Sequence, residues 1–152
     1  MAIKRRLKVS MGDVFPHGAF LTTDGAEAVP DYDRSTRDRF VQAVDKDNGL
    51  PVWEVGVHDP DPEARKNERS VNVKIAAEVQ PVPPEALPGL PFRPVEFEGL
   101  EVTPYLDTNG PRPRLAFSLR ARGMRAPGGE ARRNQGAASQ AAQGSAKSEA
   151  AA

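Results

Sequence analysis

Apolar and polar residues alternate with a period of two through most of the first 125 residues, and a helical period is almost nowhere sustained. In LPVWEVGVHD, Trp53, Val55 and Val57 alternate with Glu54, Gly56 and His58. In RSVNVKIAAE, Val71, Val73 and Ile75 alternate with Asn72, Lys74 and Ala76. In RLAFSLRARG, Leu115, Phe117, Leu119 and Ala121 alternate with Ala116, Ser118, Arg120 and Arg122. Successive side chains of a strand point to opposite faces, so each run describes a strand with one buried and one wetter face. The apolar set of each run is the expected core, Trp53 and Phe117 included. Strands are expected at about 4–10 with a continuation near 17–22, then at 39–44, 51–58, 70–77, 94–105 and 114–122.

Turn chemistry joins these runs. VQAVDKDNGLPVWEV sets Asn48-Gly49 between two apolar runs, the signature of a hairpin tip. LDTNGPRPR, with Asn109-Gly110 and two prolines, marks a second hairpin loop, and HDPDPEARKNERS an exposed loop. Val95 and Phe97 share one phase, Leu100 and Val102 the other, and Gly99 stands where the phase shifts, as a bulge or tight corner requires. Between the strands near 77 and 94 runs QPVPPEALPGLPFRP, whose prolines favour an extended path, with PPEAL as a possible single helical turn. Such a stiff segment suits a connector that crosses one end of a small barrel. Five or six short strands in this length fit an all-β fold, a small antiparallel Greek-key barrel of the OB type over residues 1–126. A β-sandwich or another small barrel would produce much the same pattern.

Composition changes sharply after Ala126. Residues 127–152 hold Ala, Gly, Ser, Gln and Arg without aromatic or β-branched residues, too little apolar surface to offset the entropy of ordering them, so a disordered tail is expected. The chain contains no cysteine, which excludes a disulfide framework and Cys-ligated zinc. No apolar region follows the basic MAIKRRLKV, and no run approaches the ~20 apolar residues of a membrane span, so a cytoplasmic protein is expected.

The net charge is zero, but its distribution is uneven. Residues 1–10 carry +4, residues 112–133 carry +6, and residues 11–111 carry −10. Two basic ends that meet in space would make an anion-binding face; the alternative is solubilising surface charge. The expected nucleic-acid contacts are Lys4, Arg5, Arg6 and Lys8 at one end and Arg114, Arg120, Arg122 and Arg125 at the other, with Arg120 and Arg122 projecting together. Phe92 and Tyr105 are the aromatics best placed to be exposed and to stack on bases. An enzyme would need a constellation that is missing: there is no HExxH, phosphate loop or GxSxG. His17 and His58 read as loop-edge residues, and Asp59, Asp61 and Glu63 as a solvated turn. No catalytic residue, metal site or cofactor is expected.

Four blocks in order, GDVFPHGAF, VQAVDKDNGLPVWEVGVHDPDPEARK, VQPVPPEALPGLPFRPVEFEGLEVTPYL and PRLAFSLRARGMRAP, resemble the family of small plasmid replication, integration and excision activators. These regulatory proteins are carried on integrative and conjugative elements of actinomycete-type bacteria. The resemblance spans about residues 3–127 and implies a regulator of whether such an element stays integrated or excises and replicates. A helical pair patterned as a helix-turn-helix is missing. The expected partner is therefore DNA, single strands above all, bound by a barrel. The alternative is a protein-interaction module that binds a replication initiator or recombinase without touching DNA.

Overall fold

The computed structural model describes residues 2–128, where the alternating runs form strands that pair between Leu7 and Arg125. In order they are β1 (Leu7–Lys8), the helical turn α1 (Met11–Val14), β2 (Ala19–Leu21), β3 (Glu27–Ala28), β4 (Val52–His58), β5 (Ser70–Ala76), β6 (Arg93–Glu98), β7 (Glu101–Asp107), β8 (Arg114–Ala121) and β9 (Gly123–Arg125). They make one sheet in the order β1-β7-β8-β5-β4-β2-β6-β9, with β3 beside β4. β1 and β2 are one strand region interrupted by α1, whose N-terminus is capped reciprocally by Ser10 and Asp13. β6 and β7 are likewise one strand, bent at Gly99. The first region pairs along the second, Leu7 opposite Val102 and Ala19 opposite Val95, so the sheet curls back towards its own beginning. The fold is all-β and barrel-like, as expected.

Treating β1–β2 and β6–β7 as single bent strands, the order is first, second, third, fifth, fourth, and then first again, which suits an OB-like arrangement. One expectation is corrected: the sheet is mixed rather than antiparallel, because β5 and β8 run parallel from Val73 opposite Leu119 to Ile75 opposite Ala121. The connector explains this. It leaves β5 beside the start of β4, where the Ala77 amide donates to the Pro51 carbonyl, and the Gln80 side chain donates to the Ala26 carbonyl as the chain crosses. The bent strand therefore re-enters on the far side of the first strand. Its hairpin partner β8 fills the remaining place beside β5, running the same way. PPEAL forms no helical turn, and the connector turns near Gly89.

The core follows the predicted phases. Val55, Val57, Val73, Ile75, Leu119 and Ala121 are buried. At the corner, Val95 and Phe97 are buried before the phase shift and Leu100 after it. Gly99 has φ +60° at that point, a conformation that side-chain-bearing residues rarely adopt. Trp53 packs against this core and donates its indole N–H to the Ala77 carbonyl at 3.0 Å.

Two strand expectations fail. Residues 39–44 form no strand; they make only the isolated bridges Thr36–Arg39, Pro30–Gln42 and Val44–Pro51. Phe40 and Val44 are exposed, so this run has no buried face to fix a register. The Ser35 hydroxyl instead donates to the Val41 carbonyl and accepts from the Val41 amide, while the Ala43 amide donates to the Val29 carbonyl. Phe117 is the second failure: it is 57% exposed and Leu115 66%. Both have core phase, but β8 parts from β5 beyond the Val73–Leu119 pair, and its outer half has no core to enter. The tail assigned to 127–152 falls, from residue 129 on, outside the described residues.

Candidate nucleic-acid interface

The basic N-terminus leads into β1, and β1 pairs with β7 only at Leu7–Val102 and Lys8–Glu101. Lys4, Arg5, Arg6 and Lys8 consequently line one open cleft of about 1,000 Å³, together with Lys46, Asp47 and Glu101. Five cations face two carboxylates there. Lys8 and Glu101 also line a neighbouring cleft that holds Arg122 and Arg125. The two basic ends of the chain therefore meet at Lys8. Lys46 completes the cluster and was not singled out by sequence, because it lies in a turn within the acidic middle of the chain.

Two of the expected contacts, Arg6 and Arg120, also hold a buried carboxylate. Asp45 is 2% exposed, and its carboxylate accepts hydrogen bonds from both Arg6, at 3.1 Å, and Arg120. Arg6 also reaches the Asp47 carboxylate at 2.7 Å. The loop that carries Asp45 is built from its own turn bonds: the Gly49 amide donates to the Asp45 carbonyl and the Asp47 amide to the Asp45 side chain. Burial opposes the Asp45 charge, but the Asp47 amide, Arg120 and Arg6 outweigh it and hold the carboxyl below its ordinary value. Asp45 thus ties the segment that enters β1 to β8.

Arg120 also stands in a charge row that crosses the outer face. Lys8 is opposite Glu101, Glu101 opposite Arg120, Arg120 opposite Lys74, and Lys74 opposite Glu54. Cross-strand neighbours of opposite sign attract, so Glu101 and Glu54 flank the like-charged pair Arg120 and Lys74 and interrupt any basic track through Arg120. Arg122 does not join it. Its side chain lies against Gly99, where an added Cβ would stand 2.9 Å from its Cδ. Arg125 pairs with Glu96 and Glu98, both at 3.5 Å. Arg114 pairs with Asp107 at 3.0 Å, and the Asn109 amide and Arg114 together hold the Asp107 carboxyl low.

The two aromatics are exposed but separate. Phe92 sits on the connector, edge-on to Phe20 with ring centroids 6.1 Å apart, and lines neither cationic cleft. Tyr105 is 50% exposed on β7. It shares the outer face with Glu101, four residues or about 14 Å further along the strand. His17 is exposed, 3.8 Å from Asp61, and His58 is exposed at the end of β4. Asp59 and Asp61 each accept an amide two residues on, which is the chemistry of a solvated turn. Among the described residues no group of three His, Cys, Asp or Glu side chains is arranged to hold a metal, and no helix is long and apolar enough to cross a membrane. Compared with family models, with curated proteins and with solved structures, the chain matches none.

Proposed function

We propose that this protein is a non-enzymatic regulator that acts by binding DNA, single strands in preference, through the cationic cleft at β1. The observation that carries the reading is the convergence of Lys4, Arg5, Lys8 and Lys46 on one open cleft, adjoining the cleft of Arg122. Such groups neutralise phosphates and release counterions, which supplies affinity without reading sequence. The outer face of β7 continues from the cleft, and Tyr105 offers a ring on which a base of an unpaired strand stacks. Control of replication, integration and excision of a mobile element is the role we attach to this binding, on the resemblance of the four sequence blocks.

The test is a fluorescence-anisotropy titration against labelled single- and double-stranded oligonucleotides at about 50 and 200 mM salt. Binding should favour single strands and fall steeply with salt. Reversing Lys4, Arg5, Lys8 and Lys46 to glutamate should lower the salt slope by about one for each phosphate contact removed. Arg6 and Arg120 are left intact in that variant because they hold Asp45. An absence of binding at the lower salt would overturn the reading and leave protein contact as the function. The exposed apolar end of the β7–β8 hairpin favours that second reading.

A further inference from the structure

The β7–β8 hairpin projects beyond the sheet that supports it. β7 pairs with β1 only at Glu101 and Val102, and β8 pairs with β5 only from Leu119 to Ala121. Along Thr103–Asp107 and Arg114–Ser118 the two strands have only each other among the described residues. A two-stranded ribbon is marginal in water, and an uncovered strand edge is a template for another strand. The two edges are not equivalent. β7 carries Pro104, which has no amide hydrogen to offer a newcomer. The outer half of β8, RLAFS, contains no proline and keeps its full set of donors.

The free edge of β8 borders a cleft of about 850 Å³ that separates it from the start of β5. Leu115, Phe117 and Leu119 line it from β8 and Val71 from β5, giving it an apolar floor. Asp13, Glu54 and Glu68 stand in its lining against Lys74 and Arg114; Arg114 is paired with Asp107, Lys74 lies opposite Glu54, and Asp13 and Glu68 accept the Ser10 and Arg65 amides. The lining therefore has one more carboxylate than cation, beside the apolar row of Leu115, Phe117 and Leu119.

We infer that the free edge of β8, Arg114–Ser118, docks an extended strand of a partner protein in which apolar residues alternate with basic ones. Main-chain hydrogen bonds to β8 supply the affinity, as in strand addition to other sheet edges. Apolar side chains of the incoming strand cover Leu115 and Phe117, and its basic side chains meet Asp13, Glu54 and Glu68. This slot is distinct from the cationic cleft. It gives the protein-contact reading its surface; none of its lining residues lies in the cationic cleft, although Tyr105, on the proposed DNA path, lines it as well.

The probe is a labelled peptide about eight residues long, alternating valine and lysine, titrated by anisotropy against the full chain. Saturable binding is expected. It should weaken about tenfold or more in Phe117→Asp, a change at an exposed site checked for an unaltered urea midpoint. The same peptide methylated at alternate backbone nitrogens keeps its charge and should not bind the wild-type protein. Absence of binding overturns the proposal. So does equal binding by the methylated peptide, or by a folded Phe117→Asp variant. Sedimentation of the protein alone is the last arm: dimerisation that Phe117→Asp abolishes would assign the edge to a second copy and overturn the partner strand. The cleft charge reversals should leave peptide binding unchanged, so failure of the DNA reading and failure of this one are read separately.

Discussion

Asp45 concentrates more of the molecule's organisation than any other side chain. Its carboxylate is buried, while Arg6 and Arg120 keep 28% and 23% of their side chains exposed. Asp45→Asn should therefore destabilise the protein by about 2–3 kcal/mol in urea unfolding, less than the ~3–5 for breaking a fully buried pair, because solvent still reaches the two arginines. The pH dependence has a definite sign. With a folded-state pKa held below 3.8, the contribution of Asp45 is complete above pH 3.8 and is lost as the pH falls through the folded value. Wild-type and Asp45→Asn stabilities should converge in that acid range and differ by a constant amount above it. DKDNG announces a turn, since Asp and Asn bond to nearby amides. Nothing in those five letters says that the turn folds onto Arg6 and Arg120, which lie 39 and 75 residues away.

Among the elements, the bent strand β6–β7 shows how far patterning reaches. The shift of phase at Gly99 locates the corner to the residue, because Val95 and Phe97 enter the core from one side of it and Leu100 from the other. Gly99→Ala places a Cβ at positive φ and 2.9 Å from Arg122 Cδ. It should cost about 1–2 kcal/mol, seen as a lower urea midpoint at unchanged slope. The alternation in β8 was equally clear, yet it misplaced Leu115 and Phe117. A period of two tells which residues share a face; it does not tell how far the neighbouring strand stays paired to cover that face. For residues 39–44 the sequence offered apolar letters and a hairpin tip, but the Ser35 hydroxyl bonds both backbone groups of Val41, and no side chain of the run is buried to hold a longer ladder.

For the whole molecule, charge placement and the connector decide what the elements can do together. The acidic middle of the chain lies between two basic ends, and the barrel-like closure brings those ends to Lys8. The proline-rich segment makes that closure possible by carrying the chain from β5 to the far side of the first strand without a helix. Residues 129–152 lack the apolar side chains to add to this body. A chain ending at Gly128 should melt within about 2 °C of the full-length protein, which calorimetry can read; a larger fall would mean that the tail contributes to the fold.

The sequence by itself determined the strand class, most of the core phases, the corner at Gly99 and the two basic segments, because these depend on side-chain alternation, turn chemistry and local charge. Only the tertiary structure decided that β5 and β8 run parallel, that Asp45 claims Arg6 and Arg120, that Lys46 joins the cationic cleft, and that half of β8 stands uncovered. Each of these depends on which distant segments become neighbours, and that is set by the path of the connector and the extent of strand pairing rather than by any local pattern.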